Sequence, residues 1–241
     1  GHALYNLYKF MGYNVIGINH LGDYGTQFGK LIVAYKKWGN EDLLKQEPIK
    51  TLLALYVKFH EEEEKDSSLT DEARMWFKKL EDGDEEAKKL WLFFREESLK
   101  EFSKVYDMLG IKFDSYNGES FYSDKMPAVL EELKEKNLLK SSQGTTIVDL
   151  EEYGLGAALV QKNDGSTLYL TRDLAAAKYR KETYNFYKTL YVVASQQMLH
   201  FKQMKQVLKL MGYDWSDDCI HVMFGMVSLE EGTLSTRRGN V

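Results

Sequence analysis

Four short apolar runs punctuate the chain, at residues 13–20, 166–170, 189–194 and 221–227, and each leads into a polar turn. Their length and β-branched or aromatic content predict strands, and the pattern after the first three changes to helical spacing. Leu31, Ile32 and Tyr35 mark the helix after the first. Leu174 to Lys181 form the second, with Thr171 as its cap and Asp173 in its first turn. The third turns through Ser195 to His200, runs to Leu210 and stops at Gly212. An Asp164-Gly165 turn predicts a hairpin that pairs the strand 166–170 with Ala158–Gln161.

Between residues 40 and 164 the pattern is helical and charged, with acidic runs such as Glu61–Lys65 and Leu80–Glu86 that read as solvated faces and turns. Trp76, Phe77, Trp91, Phe94, Phe102 and Tyr106 recur near helical spacing. They predict a packed helical core rather than a base-stacking platform.

The strand ends collect the chain's chemistry. After the first strand, Leu21 to Gly29 is a glycine-rich turn opening a helix, a place where open α/β sheets bind ligands and also where purely structural tight turns occur. Tyr169 and Asp173 flank the second corner; an acid there also serves the helix dipole. Gln197 and His200, three apart, share a face of the opening turns of their helix, where a histidine is also commonly a structural hydrogen bonder. After the last strand, Gly232 to Asn240 combines glycine, hydroxyls and the pair Arg237 and Arg238. Backbone N–H groups, hydroxyls and guanidinium forks suit phosphate, although Arg-Arg-Gly-Asn is also the composition of a solvated turn.

Composition narrows the class. The 241 residues are 44% hydrophobic and 29% charged, enough to bury a sizeable core in one large or two small domains. The net charge of −5 argues against a surface that coats nucleic acid, so contact with RNA would use local basic faces. A single cysteine, Cys219, excludes an internal disulfide framework and points to a reducing, cytoplasmic compartment. No apolar run of about 18 residues predicts a membrane span, and the start lacks the basic and apolar regions of a signal peptide.

Together the segments Asn19–Gly29, Tyr169–Asp173, Ala194–Gln197 and Phe224–Val227 with the loop behind it resemble arginyl-tRNA synthetase, a class I aminoacyl-tRNA synthetase. The resemblance extends through Phe94–Ser98 and Leu109–Asp114 to essentially the whole chain. It implies an α/β fold: a Rossmann-like parallel nucleotide-binding sheet, its first strand outside this chain, split by a mainly helical connective insertion. The implied divisions are 1–40 and 166–241 for the catalytic domain and 41–165 for the insertion. It also implies ATP-dependent ligation of L-arginine to tRNA(Arg) through arginyl-adenylate, with Mg2+ accompanying ATP, no structural metal and a monomeric protein.

The resemblance assigns Tyr169, Asp173 and Gln197 to arginine, and His200, Phe224, Gly225, Met226 and Val227 to ATP. Thr233, Leu234, Ser235, Thr236, Arg237 and Arg238 stand where many class I enzymes carry Lys-Met-Ser-Lys-Ser; the serine is kept and neither lysine is. His20, Gly22, Asp23 and Gln27 are expected to line the active site. The family's His-x-Gly-His signature is not in the sequence, and His2 lies beyond its position, in a helix that follows it. The isolated chain is therefore expected not to aminoacylate. Two other readings are open. One is a non-catalytic fragment or dead relative acting as a binding module. The other is a different class I synthetase, of which the cysteinyl enzyme is excluded because its metal needs more thiolates than one cysteine supplies.

Overall fold

The computed structural model describes residues 1–162 and 168–225, together with the backbone of 228–229 and 232–233. The chain divides into two compact units, the first formed by residues 1–120 together with 227–241 and the second by residues 121–226.

The first unit is helical: α1 (His2–Phe10), α2 (Thr26–Trp38), α3 (Glu41–Gln46), α4 (Pro48–Glu63), α5 (Ser68–Glu81) and α6 (Glu85–Met108). Local signals set the starts. Asn40 and Asp84 accept the backbone N–H of Leu43 and Ala87 as helix caps, and Pro48 opens α4 where a missing N–H costs nothing. Ile32, Val33 and Ala34 of α2, Phe59 of α4, Trp76 and Phe77 of α5 and Phe94 of α6 form the core. Of the six aromatics expected there, Trp76, Phe77 and Phe94 are buried, whereas Phe102 is exposed and Trp91 and Tyr106 are half-buried hydrogen bonders. The helical spacing was right, but α6 outruns the helices that cover it.

The second unit is mixed. Helix α7 (Met126–Glu135) precedes an antiparallel sheet of β1 (Leu139–Ser142), β2 (Thr145–Asp149) and β3 (Ala157–Gln161), in that order. Then come α8 (Tyr169–Tyr184), β4 (Thr189–Ala194), a 3-10 turn at Ser195–Gln197, α9 (Met198–Leu210) and β5 (Cys219–Phe224). Strands β4 and β5 are parallel, with Thr189 opposite Cys219 and Ala194 opposite Phe224, and α9 is their crossover. This α/β unit contains two parallel strands; β6 (Ser228–Leu229) and β7 (Gly232–Thr233), which belong to the first unit, pair antiparallel as a separate two-stranded sheet.

Three expectations are corrected. Residues 13–20 are not a buried strand: Tyr13 and Ile16 are exposed, and the segment makes one parallel bridge, Ile18 to Ser115. Its backbone is instead tied by Asn19 N–H to the Ser115 carbonyl (2.8 Å) and Gly17 N–H to the Asp114 carboxylate (2.7 Å). The Gly17 carbonyl also accepts the backbone N–H groups of Asp114 (2.8 Å) and Ser115 (3.2 Å), so pairing is confined to this one crossing. Next, the helix predicted from Leu174 begins at Tyr169, which puts Tyr169 and Leu170 in α8 rather than a strand. Thr171 is not its cap; buried inside the helix, its Oγ1 donates to the Val160 carbonyl at 2.8 Å. Finally, β3 pairs with β2; of the partner predicted for it, Leu168 gives one backbone bond to the Val160 carbonyl (3.1 Å) and Tyr169 and Leu170 are helical. The Asp164-Gly165 turn lies outside the described residues.

Cys219, at the start of β5, is buried, and burial pushes its thiol from an ordinary 9.0 up to about 11. The difference, 11 − 9.0, corresponds below pH 9 to roughly a hundredfold less thiolate than in the unfolded chain. Iodoacetamide at pH 8 should therefore alkylate the folded chain at least about a hundredfold more slowly than the urea-unfolded chain. Equal rates would contradict this burial. Because the unfolded thiol ionises first, the same shift removes stability as pH rises from 9.0 towards 11.

Candidate functional site

In the first unit, Gly25 opens α2 at φ 131°, a conformation that glycine tolerates and other residues rarely adopt. The turn predicted at Leu21–Gly29 is therefore a real helix entry. Gln27, in the first turn of α2, folds back to donate to the Tyr24 carbonyl at 3.0 Å. Gly22 is exposed, and His20 is half-buried.

Asp23 differs from these neighbours. It is 4% exposed, and its carboxylate accepts from Arg95 Nε (2.8 Å), Ser120 N (2.9 Å) and Ser120 Oγ (2.9 Å). Its backbone carbonyl accepts the Trp91 indole at 2.7 Å. A buried carboxylate with three donors is a tie between chain segments. Gly118 packs so closely on this node that a Cβ there would lie 2.6 Å from Asp23 Oδ1. Sequence spacing carries no signal for this clamp, because its donors are about 70 and 97 residues away.

In the second unit, Tyr169 and Asp173 lie four residues apart on α8, so both project from one face of the helix. The phenol is exposed and stacks near the Arg172 guanidinium, 5.7 Å from the ring centre. The Asp173 carboxylate is one-fifth exposed and bonds His200 of α9, with Nε2 to Oδ2 at 2.6 Å. A carboxylate has only acceptors, so Nε2 carries the hydrogen. Gln197 is exposed at the N-cap of α9. Phe224 and Gly225 are exposed at the end of β5. Strand β4, its turn and α9 follow the predicted bounds, which places Gln197 and His200 where the sequence put them.

Helix α8 carries charge inward. Arg172 and Arg180 are each 6% exposed; Arg180 lies between the rings of Tyr122 and Tyr191, 5.5 and 5.6 Å from their centres, and feels the charge of Asp173. Burial in turn drives the Tyr191 phenol well above its ordinary range. On the α7 side, Glu132 pairs with Lys178 and accepts the Tyr213 hydroxyl at 2.8 Å. Burial alone would raise the Glu132 carboxyl, but these donors hold it below its ordinary value. The helix's mixed sequence gave no sign of this inward charge.

Met226, Val227 and the residues 234–238 lie outside the described residues, as does the side chain of Thr233. Among the described residues no group of three or more His, Cys, Asp or Glu side chains is placed to hold a metal ion, and no helix is long and apolar enough to cross a membrane.

A family model described as tRNA synthetases class I (R), catalytic domain, matches residues 1–241. Over all 241 residues the chain is 65% identical to arginine–tRNA ligase of Halothermothrix orenii and 66% identical to that of Clostridioides difficile. It spans 43% of the length of each. Among solved structures, arginyl-tRNA synthetase of Plasmodium falciparum aligns over 93% of this chain and 38% of its own, with a TM-score of 0.73 and 30% identity. The Thermus thermophilus arginyl-tRNA synthetase, at 17% identity, shares the fold over 98% of this chain and 46% of its own, also with a TM-score of 0.73. With the family model matched from end to end and the α/β unit in place, the chain belongs to the class I tRNA synthetases for arginine, in the part that forms their catalytic domain.

Proposed function

We propose that the protein containing this chain ligates L-arginine to tRNA(Arg) at the expense of ATP, through an arginyl-adenylate. The arginine carboxylate attacks the α-phosphate and pyrophosphate leaves; the terminal ribose hydroxyl of the tRNA then attacks the activated carbonyl, loses its proton, and AMP leaves as the mixed anhydride breaks. The observation that carries this reading is the placement of Tyr169 and Asp173 on one face of α8, with the carboxylate half-buried and held by a hydrogen-bond donor. A guanidinium offers two parallel N–H groups that a carboxylate accepts together, a match that a lysine ammonium lacks. Gln197, exposed at the opening of α9, serves the α-amino group or the ribose.

On the nucleotide side, the backbone of Phe224 to Val227 presents groups to adenine, with His200 nearby. The loop Thr233, Leu234, Ser235, Thr236, Arg237 and Arg238 supplies charge to the leaving pyrophosphate. His20, Gly22 and Gln27 line the site, and Asp23 braces the turn that carries them through the clamp it makes. The parallel pair β4 and β5 with its crossover α9 is consistent with a Rossmann-like nucleotide-binding sheet formed by residues 1–40 and 166–241 around an insertion at 41–165. Mg2+ would accompany ATP, held largely by its phosphates. Catalysis then consists of positioning and charge stabilisation at the transferring phosphorus. The enzyme would work as a cytoplasmic monomer.

Charging of tRNA(Arg) with labelled arginine by the full-length protein is the test. No arginine-dependent charging would refute the reading. In the same protein, Arg237→Ala with Arg238→Ala should lower the activation rate while arginine affinity changes little, because the loop acts on charge that develops only in the transition state. An unchanged rate of pyrophosphate exchange, measured with tRNA(Arg) present, would remove the loop from that role.

A further inference from the structure

We propose that His200 is a positioning residue for the arginine specificity carboxylate: it fixes the plane of Asp173 rather than binding the nucleotide. The inference rests on the reading of Asp173 as the guanidinium acceptor. A planar fork is accepted well only by a carboxylate held within about 10–20° of its plane, and an aspartate on an open helix face rotates freely. Asp173 is not free to do so. His200 Nε2–H meets its Oδ2 at 2.6 Å, and both side chains are one-fifth exposed.

The histidine is itself anchored. Its ring meets Phe201 edge-on at 5.3 Å; Phe201 packs against Tyr191 at 5.0 Å and His221 at 4.4 Å; His221 Nε2–H donates to the Val193 carbonyl at 2.9 Å. Tyr191 and Val193 are in β4 and His221 in β5, so a chain of rings joins the parallel strand pair to the carboxylate of α8.

The test is a set of variants in the full-length protein, with arginine and ATP affinities measured separately by calorimetry. His200→Ala should weaken arginine binding roughly tenfold, the value of one lost charge-assisted hydrogen bond, and leave ATP binding within about twofold. His200→Gln, whose amide nitrogen reaches the place of Nε2, should restore most of the loss, whereas the shorter Asn should not. In an Asp173→Asn background, His200→Ala should have no further effect on arginine. Loss of ATP affinity with arginine binding intact would overturn the proposal, as would an equal loss with and without the Asp173 carboxylate. An Asp173→Asn protein that binds arginine normally would instead refute the pocket on which the proposal stands. The nitrogen NMR spectrum of His200 then separates the two failures: its Nε2–H signal shifts in Asp173→Asn if the bond exists, and is unmoved if it does not.

Discussion

Asp173→Asn in the full-length protein is expected to raise the arginine requirement about a hundredfold or more. Removing one partner of a largely desolvated ion pair leaves the other without compensation, at a cost of roughly 3–5 kcal/mol, whereas a hundredfold in affinity needs only about 2.7 kcal/mol. Asn preserves the shape of the side chain and can still meet His200 through its amide oxygen, so the fold should stand. Tyr169→Phe should do less, since the ring remains and only a neutral hydrogen bond of about 0.5–1.5 kcal/mol is lost. The exposure of Tyr169 at the first position of α8 agrees with that ranking. Neither change should alter ATP affinity. Calorimetry with arginine decides it: if Asp173→Asn binds as tightly as the parent, the guanidinium pocket is elsewhere.

Gly29→Ala should destabilise the helical unit by about 3 kcal/mol, which for a chain of this size lowers the melting temperature by roughly 6–12 °C. A Cβ at Gly29 would lie 2.0 Å from the Ala73 carbonyl oxygen and 3.1 Å from Phe77 Cβ. The obstacle is the backbone of α5, which cannot turn aside as a flexible side chain would. Helices α2 and α5 would have to part, loosening Ile32, Val33, Trp76 and Phe77, all buried. Alanine's better helix propensity gives back at most about 1 kcal/mol, so the clash decides the sign. Thermal unfolding followed by circular dichroism measures it; a melting temperature equal to or above that of the parent would show that the two helices separate at little cost.

Local pattern by itself determined much of this protein. The strand 189–194, the turn at Ser195, the helix ending at Leu210 and the stop at Gly212 are set by short-range periodicity and by a glycine at φ 90°, and they stand as the sequence predicts. The glycine-rich entry to α2 is legible for the same reason: Gly25 states its backbone requirement in its own residue type. The motifs also carried the family, since residue types at fixed spacing survive without any knowledge of contacts.

What only the tertiary structure decided is where long-range partners exist. Residues 13–20 have strand composition, but a strand is made by its neighbour, and here the available backbone offers a single bridge. The opening of α8 reads as a strand because Leu168 to Thr171 are apolar or β-branched; packing against β3, with Thr171 bonded to Val160, makes it the helix's first turns. The domain of Asp23 is likewise invisible in its motif. Its glycine-rich setting suggests a ligand, yet Arg95 and Ser120 reach it from distant segments and make it a tie. The pairing of Asp173 with His200, 27 residues away on another helix, is of the same kind. Hydrogen bonds between side chains remote in sequence leave no periodic trace, so their geometry belongs to the fold, while the residue types that make them possible belong to the sequence.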